Sequence, residues 1–423
     1  MRNLIKGDPL LFLFSLYIFF HPIMISPELP YLQKKLILAD IIFGVIFILF
    51  LKEYLSKRKI FFPISLIGLL TTYMLITLIC FFLLPKEKLL TGIVEIIIQF
   101  YLILVLLVSY YISSTRENLD IIFTSWGYAV LAICLIGVVG LGLYCVGIKN
   151  NPFIGGIGYN LPAGNYPRVM STFPHGSYLM NYLAPSFFFL LYLRSKKYRL
   201  GKTPYWEMLL VLFIVTSILT FSRAFLVWLG ILIFWIGTIE SKELLTKVFS
   251  ISMLSGIILV IAFITYWNIF PIKFKYQPDN EEGIALVFSS RPSPRWEIWK
   301  QAWREIKKSP WWGRELSSNA TGPAWLSGRF FPKGIASHNT FIELWTSRGI
   351  FGLAIFLALI FWVLKKGLES RPLSLEQKSL IPAFLCLFLI FFLDHMLRVR
   401  FVYLIFGIFA GIGNKSKIKL KYI

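Results

Sequence analysis

Three cationic side chains in this sequence could bind a phosphorylated substrate and activate a hydroxyl group. His338 stands in the segment SHNTFIELWTSRGIFG, Arg223 interrupts a long apolar run, and Arg295 begins the segment RWEIWKQAWREIKK. Histidine is the side chain best suited to take up a proton near neutral pH. The planar fork of arginine holds phosphate oxygens in pairs, and two such forks suit a pyrophosphate leaving group. The residue types therefore indicate a reaction in which a hydroxyl attacks beside a bound phosphate.

The elements that must position these residues are membrane helices. Of the 423 residues, 57% are hydrophobic and 15% are charged, and the mean hydropathy is +0.71. Apolar stretches near or above the ~18 residues of a membrane span recur along the chain, whereas a membrane barrel would show short alternating segments. The composition excludes a soluble protein and predicts an all-α polytopic membrane protein. The net charge of +22 is then explained by membrane orientation and anionic lipid, with no nucleic acid as partner.

We predict about twelve transmembrane helices. The first apolar run is read as a retained span, because no small-residue cleavage site follows it. The predicted spans are 9–25, 36–51, 61–84, 89–112, 119–147, 173–193, 206–221, 224–239, 248–270, 341–364, 379–395 and 400–414. They form one integral membrane domain with nine spans in 1–270, a large loop at 271–337 and three spans in 338–423.

The two spans on either side of Arg223 are separated by a length argument. A single helix over 206–239 would be about 51 Å long at 1.5 Å per residue, while the hydrocarbon core is only ~30 Å thick. A tight turn at Ser222-Arg223 resolves this conflict. It also brings Arg223 near the outer face, where a charge costs less than at the bilayer centre.

Positive charge fixes the orientation. The connections on the side of the N-terminus hold 22 lysines and arginines, and the short connections on the other side hold 8. Because positive loops stay in the cytoplasm, both termini are predicted to be cytoplasmic and 148–172 and 271–337 to lie outside. In the second loop, residues 293–308 predict a basic, tryptophan-rich amphipathic helix. It suits either the membrane interface or a small core within the loop.

Further polar residues fall toward the same outer face. They are Asp40, Glu95, Arg168, Asp394 and His395. Such a ring indicates a water-filled cavity open to the outside. Two alternatives stay open: Asp40 and Asp394 could pair with Lys34, Lys35 or Arg398 at the interface, and Glu95 could be a satisfied buried carboxyl. The acidic residues of the outer loops show no metal-ligand spacing, so no metal is predicted.

Four segments resemble the O-antigen ligase and polymerase superfamily, most closely its ligases. His338-Asn339, nine residues and Gly349-x-x-Gly352 resemble the ligase hallmark. The two glycines are expected to let another backbone approach and fix that helix. LTFSRAFLVWLGI resembles the Ser-Arg segment at a span boundary. SRPSPRWEIWKQAW followed by SPWWGRE resembles the Arg-x-x-x-Trp segment and its downstream Pro-x-x-Gly, and YPRVMSTFPHGSYLMNYL resembles a segment with a further substrate-binding arginine.

The resemblance implies a membrane fold of the C-type glycosyltransferase class in the bacterial inner membrane, with the active site and the 271–337 loop facing the periplasm. The implied reaction transfers a glycan en bloc from undecaprenyl pyrophosphate to lipid A-core in lipopolysaccharide biosynthesis. It is inverting and metal-independent, and no cofactor is implied. By the matching motifs His338 is the base, Arg223 and Arg295 hold the donor phosphates, and Arg168 binds substrate. Arg291 is a rival of Arg295, and Glu95 and Asn339 are further candidate substrate-binding residues.

Two alternatives to a ligase remain. A polymerase would join lipid-linked repeat units, and the sequence departs from the ligase pattern at Leu226, which comes one residue early, and at Pro174-His175-Gly176. A transporter of lipid-linked glycans would also suit about twelve spans and a wet cavity. It has no need of a long outer loop with its own helix, and it usually carries its charges at mid-membrane depth.

Overall fold

The computed structural model describes residues 8–24, 37–57, 62–116, 119–148, 151–161, 164–196, 205–220, 222, 224–239, 294–314, 316, 324–326, 329–331, 335–369 and 374–420. Its helices are α1 Pro9–Phe20, α2 Leu38–Lys57, α3 Ile64–Phe82, α4 Leu89–Thr115, α5 Asp120–Cys145, α6 Gly176–Ser195, α7 Tyr205–Leu219, α8 Ala224–Ile239, α9 Pro294–Lys308, α10 Thr340–Gly367, α11 Leu375–Ile390 and α12 Arg400–Leu420. Two antiparallel hairpins are formed by β1 Ile154–Leu161 with β2 Gly164–Val169 and by β3 Ala324–Leu326 with β4 Arg329–Phe331.

Helices coincide with the predicted spans wherever the structure describes them, whereas the predicted span 248–270 lies outside the described residues. Within the described residues, four helical stretches are long and apolar enough to cross a membrane: Ile64–Phe82, Lys86–Thr115, Asp120–Cys145 and Thr340–Gly367. Shorter apolar helices occupy Pro9–Phe20, Ala224–Trp235 and Arg400–Asn414. This architecture is consistent with a polytopic helical membrane protein, while the number of twelve spans stays a prediction.

Several of these helices leave large apolar side chains uncovered. Ile64 is 86% exposed, Phe82 79% and Phe361 63%. Large uncovered apolar surfaces mark contact with a partner or with a membrane. On helices of membrane length, lipid is the natural covering.

Among the described helices, α12 packs most extensively against α4, and glycines bring the two backbones together. A Cβ atom on Gly407 would lie 2.4 Å from the carbonyl oxygen of Leu106, and one on Gly411 would lie 2.6 Å from that of Tyr110. Gly407-x-x-x-Gly411 is the spacing that lets two membrane helices approach backbone to backbone. This pairing fixes α12, and with it the segment 391–399 that precedes the helix.

The all-α prediction holds in that the described chain is mostly helical, but the two loop segments predicted to lie outside also contain short strands. Residues 148–172 contain the β1–β2 hairpin, whose register pairs Ile154 with Val169 and Tyr159 with Tyr166 across a bulge. The second hairpin lies in the 271–337 segment after α9. The glycine- and proline-rich composition had indicated only a loop, because paired strands this short carry little periodic signal. The predicted helix in this segment is confirmed as α9, with Pro294 in its first turn.

Candidate active site

His338 stands immediately before α10. Its φ is 49°, in the left-handed region that non-glycine residues seldom adopt. The helix cap is the next residue, because the side-chain oxygen of Asn339 accepts the N–H groups of Phe341 at 3.0 Å and Ile342 at 3.1 Å. Capping is therefore not the role of His338.

Asn339, a predicted substrate-binding residue, uses its side chain within the fold. Its oxygen caps α10, and its amide nitrogen donates to the carbonyl oxygen of Phe392 at 3.3 Å. Both ends of the amide are thus used within the fold. Asn339 therefore has a structural role beside His338, and its contact with substrate stays a prediction.

The segment 391–399 is fastened to the start of α10. The backbone N–H of Thr340 donates to the Phe391 carbonyl at 2.8 Å. The Thr340 hydroxyl donates to the Asp394 carbonyl at 2.8 Å and accepts the N–H of Met396 at 2.9 Å. These bonds bring Asp394 and His395 next to His338 although 56 residues separate them in sequence.

Asp394 and His338 form an oriented pair. Nδ1 of His338 lies 3.3 Å from Oδ1 of Asp394, which also accepts the backbone N–H of His395 at 2.9 Å. Oδ2 of Asp394 accepts the amide of Asn181 at 2.8 Å. Because a carboxylate can only accept, the ring hydrogen of neutral His338 belongs on Nδ1, and Nε2 keeps its lone pair. The His338 side chain is 39% exposed and that of Asp394 is 6% exposed, so the imidazole remains accessible and its orienting group is shielded.

Charge at this cluster is set by two opposite pKa shifts. Burial alone would raise the pKa of Asp394, but hydrogen bonds and attraction from His338 and His395 lower it below its usual range. Burial would lower the pKa of His395, but the carboxylates of Asp394 and Glu343 outweigh this and raise it. At neutral pH Asp394 is therefore a carboxylate, the form that orients a histidine.

His395 completes a group of possible metal ligands. One ligand atom from each of His338, Asp394 and His395 lies within 4.8 Å of the other two. Nε2 of His395 contacts the hydroxyl of Tyr178. Its Nδ1 lies 3.1 Å from Oδ1 of Asp394, yet it makes no aligned hydrogen bond within the described part of the chain.

Glu95 was predicted to contact substrate, but its carboxylate is already engaged. It is 2% exposed, and its Oε1 accepts from Arg348 at 3.0 Å and from Gln99 at 2.9 Å. Its Oε2 lies 2.7 Å from Nη2 of Arg398. The alternative of a satisfied buried carboxyl is therefore the one the structure favours, and breaking such a pair costs about 3–5 kcal/mol.

The remaining charges of the predicted outer ring are also paired. Asp40 lies 2.8 Å from Arg400 and accepts the hydroxyl of Tyr101 at 2.9 Å. Since Arg398 is paired with Glu95, the suggested pairing of Asp394 with Arg398 is wrong. Asp394 serves the histidines instead.

Arg168 links the β1–β2 hairpin to Thr220, the residue after the end of α7. It is 9% exposed, and its Nε donates to the carbonyl oxygen of Thr220 at 2.9 Å. Its Nη2 donates to Ser177 at 3.3 Å, and its Nη1 lies 3.4 Å from Nε2 of His175. Burial and the nearby Arg168 charge lower the pKa of His175, so it stays neutral beside the guanidinium. Arg168 thereby fixes the backbone three residues before Arg223.

The phosphate-binding candidates are only partly described. Arg223 and Arg291 lie outside the described residues, and their predicted roles stay predictions. Arg295 is half-buried in the first turn of α9. One turn later, the indole N–H of Trp299 donates to the carbonyl oxygen of Ser337 at 2.8 Å. The Arg-x-x-x-Trp motif thus attaches the helix that carries Arg295 to the residue before His338.

The motifs Pro310-x-x-Gly313 and Gly349-x-x-Gly352 meet at a kink in α10. Gly349 has φ of 64° and interrupts the helical geometry. The carbonyl oxygen of Pro310 accepts the N–H of Ile350 at 2.9 Å and the indole N–H of Trp345 at 3.1 Å. A Cβ atom on Gly349 would lie 1.9 Å from the Trp311 carbonyl oxygen. The expected approach of a second backbone is confirmed at Gly349, whereas at Gly352 the close neighbour is the Arg348 side chain.

We expect Gly349→Ala to lower the free energy of unfolding by about 2–6 kcal/mol, because it adds a clash to an unfavourable backbone conformation. The matched control is Gly68→Ala in α3, where an added Cβ meets nothing within 4 Å. Thermal unfolding of the detergent-solubilised proteins gives the comparison. Equal melting temperatures for the two variants would show that the kink does not need glycine.

Asp394, His395, Asn181 and Tyr178 were not among the predicted site residues, although the predicted outer ring included Asp394 and His395. The available signal was an aspartate and a histidine, adjacent and just past the end of an apolar run, on the same side of the membrane as His338. Paired polar groups at a span end indicate function more often than packing. What the sequence lacked was a way to connect them to one histidine in particular.

Comparison with known proteins identifies one related family. None of the curated proteins matches the chain. Residues 208–357 match the family model described as O-antigen ligase. That range includes Arg223, Arg291, Arg295 and His338 and ends before Asp394. The match confirms the resemblance drawn from the motifs and supports membership of this chain in the O-antigen ligase superfamily.

Proposed function

We propose that the chain is a glycosyltransferase of the bacterial inner membrane that transfers a glycan en bloc from undecaprenyl pyrophosphate to an acceptor hydroxyl on the periplasmic side. The family supports a role of ligase or polymerase type in O-antigen or polysaccharide assembly. The acceptor we propose is lipid A-core. The observation that carries the proposal is the His338–Asp394 pair, to which the Arg295-bearing helix is attached through Trp299 and Ser337.

In the proposed reaction, Nε2 of His338 takes the proton of the acceptor hydroxyl while Asp394 holds Nδ1–H and stabilises the imidazolium that forms. The acceptor oxygen attacks the anomeric carbon from the face opposite the phosphate, which inverts its configuration. The bond between that carbon and the pyrophosphate oxygen breaks. The developing charge on undecaprenyl pyrophosphate is stabilised by Arg223 and Arg295.

A transfer assay that offers two acceptors side by side tests the proposal. The purified chain would be given a lipid-linked glycan donor together with two acceptors. One acceptor is lipid A-core, and the other is a single lipid-linked repeat unit. Product on lipid A-core supports a ligase, and longer lipid-linked glycan identifies a polymerase. Absence of any transfer, with intact donor still bound, contradicts a glycosyltransferase.

Arg295→Lys is expected to lower transfer by about 10-fold or more although the charge is kept, because lysine cannot bind phosphate oxygens as a fork. Arg304→Lys on the exposed side of the same helix, where Arg304 donates to Gln301, is the matched control and should leave the rate nearly unchanged. Initial rates at saturating acceptor give the comparison. Near-normal transfer by Arg295→Lys would move the phosphate role to Arg291.

A further inference from the structure

We propose that His338, Asp394 and His395 also form a binding site for a transition-metal dication such as Zn²⁺, and that bound metal blocks transfer. The block, but not the binding, rests on the proposed function of His338. The metal is an inhibitor in this proposal, so the reaction itself stays metal-independent.

The spacing of the three side chains matches metal coordination. Nδ1 of His338 and Nδ1 of His395 lie 3.3 Å and 3.1 Å from Oδ1 of Asp394, and the three ligand atoms lie within 4.8 Å of one another. Zn²⁺ binds imidazole nitrogen and carboxylate oxygen at about 2.0–2.2 Å, which puts tetrahedral ligand atoms about 3.3–3.6 Å apart. Only a small inward movement is needed to close the set around an ion.

The surroundings supply the second set of contacts that metal ligands usually have. Nε2 of His395 contacts the Tyr178 hydroxyl, and Oδ2 of Asp394 accepts the Asn181 amide at 2.8 Å. Such bonds on the far side of each ligand hold its orientation. Nδ1 of His395 is buried and makes no aligned hydrogen bond within the described ranges, and it faces Oδ1 of Asp394 at 3.1 Å, as a second ligand of a shared ion would.

The types of the three ligands also determine which metal the site prefers. Two imidazoles and one carboxylate favour Zn²⁺, Cu²⁺ or Ni²⁺, whereas Mg²⁺ and Ca²⁺ prefer oxygen ligands throughout. Three protein ligands leave one tetrahedral position for water. With 39% of its side chain exposed, His338 gives an ion access from solvent.

Coordination and base catalysis exclude each other at His338. In the metal-free pair the hydrogen is on Nδ1 and Nε2 accepts a proton. A neutral imidazole bound to metal through Nδ1 carries its one hydrogen on Nε2, and this nitrogen then can only donate. The acceptor hydroxyl would lose its base while the fold and the donor site stay intact.

The test measures metal binding without any glycan. The full chain in detergent is dialysed against Zn²⁺, and the bound metal is quantified. We expect one ion per chain. Co²⁺ in place of Zn²⁺ should give the visible absorption bands of a tetrahedral site with nitrogen and oxygen ligands.

His395→Gln keeps the backbone bond to Asp394 and removes one ligand, so the affinity for Zn²⁺ should fall by about 10-fold or more. The control is His175→Gln, which removes a histidine outside the cluster and should leave the affinity unchanged. A chain that binds no Zn²⁺, or whose affinity is the same with and without His395, overturns the site. If Zn²⁺ binds at this site and the rate of transfer is unaltered, the proposed block is overturned. If the chain binds Zn²⁺ but transfers no glycan, the metal site stands and the proposed function is wrong.

Discussion

His338→Ala is expected to lower glycan transfer by about 10²–10⁴-fold, the usual contribution of a general base. Donor binding should persist, since the donor phosphates are assigned to the arginines. The wild-type rate should rise with pH over the range in which imidazoles lose their proton, and the variant should lose this dependence. Initial rates from about pH 5.5 to 8.5, with donor affinity measured separately, give both results.

The matched control for His338→Ala is the neighbouring cap. Asn339→Ala removes the bonds to the N–H groups of Phe341 and Ile342, which typically costs about 0.5–2 kcal/mol of stability. It should lower the melting temperature and keep the pH-dependent rise in rate. If His338→Ala instead behaves like Asn339→Ala, with lower stability and near-normal transfer, His338 only orders the start of α10.

Helix positions could be predicted because their signal is local. The apolar run 61–84 predicts a span, and α3 occupies Ile64–Phe82. The length argument for two helices within 206–239 also holds, because α7 ends at Leu219 and α8 begins at Ala224. Each of these predictions needs only hydrophobicity and length, which are properties of neighbouring residues.

Partners could not be predicted, because they depend on how helices pack. Glu95 had several arginines on its side of the membrane, and only the fold selects Arg348 and Arg398. Asp394 had cationic neighbours in sequence, yet it faces His338 across 56 residues. Hydrophobic patterns locate a span, but they do not determine its rotation against its neighbours.

The glycines show an intermediate case. The motif ending in Gly349 and Gly352 predicted that a backbone approaches α10, and the structure confirms this at Gly349. It could not predict that the approaching backbone is the Pro310-x-x-Gly313 motif of the same chain. The two motifs are complementary surfaces of one contact, which explains why they occur together in this sequence.

Asp394→Asn is expected to lower transfer by about 10²–10⁴-fold, close to the loss in His338→Ala. The substitution removes the negative charge that stabilises the imidazolium formed when His338 takes a proton. Asparagine also has only one acceptor oxygen, whereas both oxygens of Asp394 accept. Oδ1 faces Nδ1 of His338 and accepts the N–H of His395, and Oδ2 accepts the amide of Asn181. The asparagine amide can then face Nδ1 and move the ring hydrogen to Nε2. Because both variants remove one function, their combination should be little slower than either alone.

Stability against pH separates this role of Asp394 from a purely structural one. The pKa of His395 is raised in the fold through its interaction with the Asp394 and Glu343 carboxylates. A raised pKa stabilises the fold fully below the unfolded value of about 6.5 and loses this contribution as pH rises through the folded value. The melting temperature of Asp394→Asn should therefore fall below that of the wild type by more at pH 6 than at pH 8.

Asp40→Asn, which disturbs a carboxylate paired with Arg400, is the control and should lower stability without this pH dependence and without loss of the rise in rate with pH. A gap in melting temperature that is constant with pH, together with near-normal transfer by Asp394→Asn, would show that Asp394 only fastens segment 391–399 to α10.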